Sequence, residues 1–317
     1  MPWIGWCLCA VLGVALIILL TSLVCFLKVF YSQKRKPLGN DEYEIPEGRI
    51  YEVYREEMIK WTKQIRTLPH ENIEIKSFDG LTLRAKYYEF KPGAPIELLF
   101  HGYRGNAERD LCGGVERCFR LERNVMIINQ RASGDSEGHV ISFGINERRD
   151  CHSWVKYAIE RFGDDVKLII GGVSMGAATV MMAAGEPLPK NVICVLADCG
   201  YSSAEEIIKK VVKEMHLPVG LLYPFIKLGA KIFGGFDIEE TSPMEAMKRC
   251  TLPVVFVHGD KDDFVPYEMS VQLYDACISE KKALITIPGA GHGLAFPADQ
   301  DGYVNQLKVI KENWNLK

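Results

Sequence analysis

Several common features are missing from this sequence, and each absence excludes a class of protein. Beyond residue 36 there is no block of basic residues, and 34 Lys and Arg residues stand there against 41 Asp and Glu residues, a net charge of −7. Proteins that bind nucleic acid usually carry a clustered basic surface, so we do not expect nucleic acid as a partner. There is also no internal repeat and no low-complexity tract, which argues against a repeat architecture.

Cysteine spacing gives no sign of a metal site or a disulfide framework. Of the ten cysteines, Cys7, Cys9 and Cys25 fall in an apolar segment near the N-terminus, which leaves seven in the rest of the chain. Seven is an odd number, these residues show no close pairing pattern, and none of the spacings typical of zinc ligands occurs. A mostly reducing compartment is the simpler interpretation, and we expect neither a metal nor an organic cofactor.

Charge is absent from residues 3–27, a run of 25 residues rich in Leu, Val, Ile, Ala and Cys. A helix of that length rises about 37 Å, enough to cross a hydrocarbon layer of roughly 30 Å with some tilt. A cleaved secretory signal fits less well, because no Lys or Arg precedes the run and no small-x-small site closes it. We therefore predict a single-pass membrane anchor over residues 1–27, followed by a juxtamembrane linker over residues 28–46.

The remaining residues, 47–317, are predicted to form one α/β domain with a sizeable core. Amphipathic spacing predicts a helix over residues 48–67, and an antiparallel hairpin is expected to turn at Asp79-Gly80. Later strands alternate with helices, which indicates a mostly parallel sheet covered on both faces, with functional residues at the carboxyl ends of its strands. The predicted strands cover residues 73–77, 81–89, 96–100, 125–129, 167–171, 192–197, 254–257 and 283–287.

The most informative motif is the pentapeptide Gly-Val-Ser-Met-Gly at residues 172–176. It follows one apolar run and precedes another, so a strand leads directly into a helix with Ser174 at the turn. Such a turn holds the serine in a strained conformation that exposes its hydroxyl, and the flanking residues must be glycine to avoid a collision. A serine nucleophile needs this exposure, although a plain glycine turn would look the same in isolation.

Two later strands end in residues that complete a catalytic set. Residues 254–257 lead into His-Gly-Asp-Lys-Asp-Asp-Phe-Val-Pro at residues 258–266, and residues 283–287 lead into a loop that contains Gly291 and His292. Serine, then aspartate, then histidine is the chain order expected of one particular α/β architecture.

Two further motifs, His-Gly at residues 101–102 and Asn-Gln-Arg-Ala-Ser-Gly-Asp-Ser-Glu-Gly at residues 129–138, extend the set to five. Over roughly residues 70–315 the chain thus resembles the α/β-hydrolase superfamily of serine hydrolases, in particular its small single-domain esterase/lipase-like members. The resemblance implies the α/β-hydrolase fold, a mostly parallel eight-stranded sheet with helices on both faces. Here a short lid insertion and a preceding transmembrane helix are expected as well.

The resemblance and the chemistry give the same roles to three residues. Ser174 attacks an acyl carbonyl, His292 takes its proton and later returns it to the leaving group, and Asp262 orients the imidazole. Two backbone N–H groups are expected to stabilise the oxyanion: that of Met175, directly after the nucleophile, and that of Tyr103, in the loop that fits the family's His-Gly position. His101 in the same loop is then structural.

The choice of the acid depends on the resemblance. Asp262 is the fifth residue of the HGxxDxxVP pattern, where the family has its acid, and the match leaves Asp260 and Asp263 outside that role. Asp198 ends another apolar strand, and we expect it to be a structural carboxylate that caps the turn at residues 200–203.

Residues 201–240 are longer than one crossover requires and are predicted to form the lid. Their centre, residues 217–233, is strongly apolar and broken by proline and glycine, as a flap over a hydrophobic pocket would be. Ordinary packing onto the core is the alternative, since apolar surface is normally covered. A lid beside a membrane anchor would favour lipid or acyl esters as substrates.

We therefore predict a serine hydrolase that cleaves carboxylic esters of small molecules or lipids through an acyl-enzyme. Amides, peptides and thioesters are alternatives, because the tetrahedral step is shared. A non-catalytic binding protein on a hydrolase fold is disfavoured by the complete set of triad and oxyanion positions. Dehalogenase chemistry is disfavoured too, since it needs a carboxylate where Ser174 stands.

Charge predicts the side of the membrane that the domain occupies. Lys28, Lys34, Arg35 and Lys36 follow the apolar run, whereas only the amino terminus precedes it. The positive-inside rule then leaves the domain in the cytoplasm. Protease added to intact cells should leave the domain uncut and should digest it after lysis. Digestion in intact cells would show that the predicted orientation is wrong.

Overall fold

An eight-stranded sheet forms the centre of the protein, as predicted. The structure is a computed structural model that describes residues 2–33, 39 and 41–315. The strand order is β1-β2-β4-β3-β5-β6-β7-β8, in which β2 pairs antiparallel with β1 and β4 and the other neighbours pair parallel. The strands are β1 Glu71–Lys76, β2 Thr82–Tyr88, β3 Ile96–Phe100, β4 Asn124–Asn129, β5 Leu168–Val173, β6 Val192–Asp198, β7 Val254–Gly259 and β8 Lys282–Ile287.

Helices cover both faces of the sheet, which explains why its central strands are continuously apolar. In β3, Leu98 and Phe100 face one apolar cluster and Leu99 faces the other. Helices α5 to α10 lie on the first face, and α3, α4, α11 and α12 lie on the second. The helices are α1 Pro2–Val29, α2 Arg49–Glu52, α3 Arg55–Thr67, α4 Ala107–Arg120, α5 Glu147–Phe162, α6 Met175–Ala184, α7 Ala204–Glu214, α8 Val219–Gly229, α9 Pro243–Met247, α10 Tyr267–Ala276, α11 Ala295–Ala298 and α12 Gln300–Asn313.

Helix α1 is long and apolar enough to cross a membrane, judged by length and composition. An 18-residue window within Trp3–Val29 has a mean hydropathy of 2.9, and 11% of that window is buried in the protein. A signal sequence near an N-terminus has the same two properties, so the helix is either an anchor or a signal by this criterion. The basic residues Lys34, Arg35 and Lys36, on which the predicted orientation depends, lie outside the described residues.

The last two turns of α1 and the residue that follows them belong to the core of the domain. Ser22, Phe26 and Phe30 are all buried. The Phe30 ring meets the rings of Phe143 and Phe236 edge-on, with centroids 5.8 Å and 5.3 Å apart. The apolar helix therefore ends inside the folded domain.

The segment predicted to be a lid, residues 201–240, folds as α7, α8 and a π-helical turn, Ala230–Gly234. Helix α8 lies so close to α1 that a β-carbon on Gly229 would stand 2.5 Å from the Ser22 carbonyl oxygen. The Phe233 ring lies 5.9 Å from the Phe26 ring. The apolar centre of this segment thus packs against the end of α1, as the packing alternative predicts.

The helix expected over residues 48–67 is interrupted. It forms α2 and α3, separated by Val53 and Tyr54. Helix α3 buries Met58, Trp61 and Ile65, three members of the expected stripe. Val53 was another member, but it lies in the break between the two helices and is 81% exposed.

The packing of α1 predicts that Phe30→Ala destabilises the whole domain. Removing a fully buried phenylalanine side chain costs about 3–5 kcal/mol of the free energy of unfolding. We expect a clearly lower thermal unfolding midpoint for the full chain in detergent micelles. Trp6→Ala is the matched control, because Trp6 lies on α1 and is 77% exposed. Equal midpoints for the two variants would show that α1 is not part of the folded unit.

Candidate active site

The turn between β5 and α6 holds Ser174 in a conformation that residues other than glycine rarely adopt. Its φ is 57° and its ψ is −117°. A β-carbon on Gly172 would lie 2.3 Å from the Gly176 carbonyl carbon, and one on Gly176 would lie 2.0 Å from the Phe100 carbonyl oxygen. Both flanking glycines are therefore required by sterics, as the motif predicts.

Ser174, His292 and Asp262 form one hydrogen-bonded chain. The Nε2 atom of His292 lies 2.9 Å from Ser174 Oγ, and its Nδ1 atom lies 2.7 Å from Asp262 Oδ2. Because a carboxylate only accepts hydrogen bonds, Nδ1 carries the hydrogen, and Nε2 is free to accept from the serine hydroxyl. The three residues follow β5, β8 and β7, at the edge where these parallel strands end.

Asp262 is held as an ionised acceptor. Its Oδ1 atom accepts hydrogen bonds from the N–H groups of Phe264 and Val265, at 3.0 Å and 2.8 Å. Burial alone would raise the pKa of the Asp262 carboxyl, but hydrogen bonds from His258 and His292 outweigh burial and hold that pKa below its ordinary value. A full negative charge therefore faces the His292 imidazole at neutral pH.

His258 supports the acid, a role that sequence reasoning missed. Its Nε2 atom lies 3.0 Å from both Asp262 Oδ2 and the Val265 carbonyl oxygen, so Nε2 must carry a hydrogen. Its Nδ1 atom then accepts from the Ser270 hydroxyl at 2.6 Å. The available signal was the histidine that opens the HGxxDxxVP pattern, four residues before the acid.

The two residues whose N–H groups are expected to stabilise the oxyanion, Met175 and Tyr103, are neighbours of Ser174 in the chain and in the pocket, respectively. Tyr103 and Ser174 line the same pocket, and Met175 is the first residue of α6. Neither backbone N–H donates a hydrogen bond to another described residue. At the N-terminus of a helix, free N–H groups and the helix dipole both favour a negative charge.

His101 has the holding role that was expected of it. The side chain is buried, its Nδ1 atom lies 2.8 Å from the Gly102 carbonyl oxygen, and its Nε2 atom accepts from the Gln130 N–H at 3.1 Å. The Gln130 side chain donates back to the His101 carbonyl at 2.7 Å. Both ring nitrogens are therefore occupied within the protein.

Side chains of the same loop contact the end of α1. The Tyr103 hydroxyl donates to the Val29 carbonyl at 2.6 Å, and the Arg104 guanidinium donates to the carbonyls of Lys28 and Tyr31 at 2.7 Å and 3.2 Å. The last carbonyls of a helix lack partners within it, and a cation is favoured at that end of the dipole. The loop with one expected oxyanion donor is thus fixed to α1.

A pocket of about 710 Å³ opens beside Ser174 and His292. It extends between the sheet and helices α3 and α4, and none of residues 201–240 lines it. Residues 46–51, at the end of the expected linker and the start of α2, border it instead. The apolar part of its wall comes from residues that include Trp61, Leu99, Leu111, Leu196 and Phe296.

None of the other carboxylates considered for the acid is hydrogen-bonded to His292, whose Nδ1 atom contacts Asp262. Asp260 accepts a hydrogen bond from the Gly289 N–H at 2.6 Å, and Asp263 is exposed. Asp198 accepts from the Tyr303 hydroxyl at 3.0 Å. The expectation that Asp198 caps the turn at residues 200–203 is therefore wrong, because its carboxyl is turned towards α12.

Cys199 is another titratable side chain beside the triad. Its sulfur and the side-chain atoms of Asp262 and His292 lie within 4.8 Å of one another. Burial raises the pKa of the Cys199 thiol well above its ordinary value, so the thiol stays protonated. A protonated thiol is a poor metal ligand, and the other two side chains already bond to each other.

Comparison with known proteins gives relatives of this fold. The chain is 27% identical to Protein bem46 of Schizosaccharomyces pombe over 232 residues, which cover 71% of each chain. It is also 27% identical to the uncharacterised protein YqkD of Bacillus subtilis over 193 residues, 61% of this chain and 63% of that relative. Among solved structures, the esterase PF2001 of Pyrococcus furiosus is similar with a TM-score of 0.66 and 18% identity, covering 90% of this chain and 98% of the other.

A family model gives the broader assignment. The model of the prolyl oligopeptidase family matches residues 141–309, more than half of the chain. The matched range contains Ser174, Asp262 and His292, and the fold around it is that of the α/β-hydrolases. The chain therefore belongs to the prolyl oligopeptidase family of α/β-hydrolases.

Proposed function

We propose that the protein is a membrane-anchored serine hydrolase that cleaves carboxylic esters through an acyl-enzyme intermediate. The observation that carries the proposal is the continuous line from Ser174 Oγ through His292 to Asp262, with contacts of 2.9 Å and 2.7 Å. Proton transfer needs hydrogen-bond reach of about 2.6–3.2 Å, and both contacts lie within it. The family match supports a hydrolase, and an esterase among the structures of the same fold supports the ester substrate.

In the first half of the proposed reaction, Ser174 Oγ bonds to the acyl carbon while its proton passes to His292 Nε2. The carbonyl oxygen becomes an oxyanion and accepts hydrogen bonds from the N–H groups of Met175 and Tyr103. When the intermediate collapses, the bond to the alcohol breaks, and that alcohol leaves with the proton from His292. Water then attacks the acyl-enzyme in the same way, which releases the acid and restores Ser174.

Asp262 serves this cycle by remaining ionised. Because hydrogen bonds hold the pKa of Asp262 low, its charge stabilises the His292 imidazolium that forms in each half-reaction. His258 and two backbone N–H groups keep the carboxylate in place, so His292 stays in the tautomer that accepts from Ser174.

The position of α1 supports substrates that reside in a membrane. Tyr103 and Arg104 join the end of this apolar helix to the loop beside Ser174, so the pocket is held near the point where the helix enters the domain. Apolar side chains such as Trp61 and Leu99 line part of that pocket. Lipid or other acyl esters reside in a membrane and carry an apolar portion that fits this wall. The proposed orientation places the domain in the cytoplasm.

The family match favours a second candidate, hydrolysis of peptides or other amides. The same residues can carry it out, because the tetrahedral step is shared and His292 can protonate a leaving amine. Thioesters fit the same chemistry.

The first test of the proposal is Ser174→Ala. A fluorophosphonate probe should label the wild-type full chain in detergent micelles and should not label the variant, because the probe bonds to Ser174 Oγ. Ester turnover should fall by a factor on the order of 10⁴ or more. Ser153→Ala, a serine on α5 outside the pocket, should behave like the wild type. A folded wild-type chain that takes no label would favour a non-catalytic binding protein.

Substrate class is tested with nitrophenyl esters from acetyl to palmitoyl and with nitroanilides of the same acyl groups. We expect kcat/KM to be higher for each ester than for its anilide and to increase beyond acetyl, because each methylene buried in an apolar pocket adds about 0.8 kcal/mol. Faster cleavage of the anilides would favour the peptidase candidate. A flat or short-chain-only profile would contradict a lipid substrate.

A further inference from the structure

Three buried polar side chains line the same pocket as Ser174. Asp198, Arg117 and Tyr303, here called the polar floor, come from β6, α4 and α12. They are only 7%, 5% and 1% exposed. The Tyr303 hydroxyl donates to Asp198 Oδ2 at 3.0 Å, and the Arg117 guanidinium carbon lies 5.6 Å from the centre of the Tyr303 ring. The polar floor is therefore one connected group of side chains.

Two atoms of the polar floor, Asp198 Oδ1 and Arg117 Nη1, have no hydrogen-bond partner in the part of the chain that the structure describes. Buried polar atoms are nearly always paired, because an unpaired one has lost water without a replacement. Here one atom is an acceptor and the other is a donor, and both belong to residues that border open space. A bound group that donates one hydrogen bond and accepts another would satisfy both.

The charges around the polar floor indicate that this group is neutral. Arg117 and Arg123 both pair with Glu97, which is fully buried. Burial raises the pKa of Asp198 to about 6, so its carboxyl is mostly ionised at neutral pH. Two buried cations then face two buried carboxylates. An ammonium or carboxylate group on the ligand would leave one buried charge uncompensated, which is costly.

The polar floor lies next to the nucleophile. Asp198 is the register partner of Val173 on the neighbouring strand, and the Ser174 N–H donates to the Asp198 carbonyl oxygen at 2.8 Å. Leu196 lies two residues before Asp198 on β6 and also lines the pocket, so an apolar surface and the carboxyl adjoin on one face of the sheet. A substrate bound at Ser174 can therefore extend over apolar wall and polar floor together.

We propose that the polar floor is a subsite for a hydroxyl group of the substrate, so that the preferred ester carries a second, neutral hydroxyl on the portion that enters this pocket. The hydroxyl donates to Asp198 Oδ1 and accepts from Arg117 Nη1, whereas a terminal methyl group makes neither bond. This inference rests on the proposed esterase function and narrows its substrate class to hydroxylated esters.

The test uses pairs of esters that differ only in a terminal hydroxyl. One series compares nitrophenyl alkanoates with nitrophenyl ω-hydroxyalkanoates, and the other compares alkyl acetates with ω-hydroxyalkyl acetates, each with the full chain in detergent micelles. In at least one series, kcat/KM should be about tenfold or more higher for the hydroxylated member. Equal or lower values in both series would overturn the proposal and would indicate that ordered water satisfies the two unpaired atoms.

Asp198→Asn tests the residue itself. The amide oxygen can still accept from Tyr303, but a donor replaces the free acceptor. The ratio of kcat/KM between hydroxylated and unsubstituted esters should fall towards one. Asp301→Asn is the matched control, because the Asp301 side chain is 86% exposed, and it should keep the wild-type ratio. A change in Asp198→Asn that affects both esters alike would show that the carboxyl is only structural.

A binding measurement separates this proposal from the esterase proposal. The Ser174→Ala chain lacks the nucleophile, and its thermal unfolding midpoint should rise more with a hydroxylated ester than with the unsubstituted one. Adding Asp198→Asn to that chain should remove the difference. Such a difference without wild-type turnover would support the subsite and contradict the esterase, whereas turnover without any hydroxyl preference would support the esterase and contradict the subsite.

Discussion

The backbone contact at the turn after β5 is the constraint on which the rest of the site depends. Because Gly172 and Gly176 have no β-carbon, α6 can lie against the turn and against the end of β3. This contact sets the position of the Ser174 hydroxyl and of the Met175 N–H at the same time. A side chain at either glycine would move Ser174 and the Met175 N–H together, away from the loops after β7 and β8.

The loops after β7 and β8 carry Asp262 and His292, and these two side chains are held in place to different degrees. The imidazole of His292 needs only one acceptor, yet the acceptor, Asp262, is held by two backbone N–H groups and a second histidine. A carboxylate with several donors stays ionised and cannot rotate away. Three hydrogen bonds thus hold the Asp262 carboxylate in place, whereas one joins it to His292.

Much of this arrangement was visible in the sequence, because it depends on residues that are adjacent in the chain. Continuous apolar runs predicted the strands, and Gly-x-Ser-x-Gly predicted the turn together with its strain. The acid was different, since three aspartates crowd the loop and only the resemblance to a family singled out Asp262.

What the sequence did not reveal are contacts between distant segments. Asp198 bonds to Tyr303, which lies 105 residues further along the chain, and no local pattern indicates that pair. The apolar centre of residues 201–240 was similarly expected to be buried, but composition does not identify the surface on which it packs. That surface is the end of α1, about 200 residues earlier in the chain, and composition alone does not distinguish a lid from a packed segment.

The seating of α1 in the core has a geometric consequence for a protein in a bilayer. A domain on a flexible tether samples many distances from the lipid, whereas this one is joined rigidly to its helix through Phe30 and through the bonds from Tyr103 and Arg104. In the membrane-anchored state proposed above, the tilt of the helix would then set the height of Ser174 above the hydrocarbon.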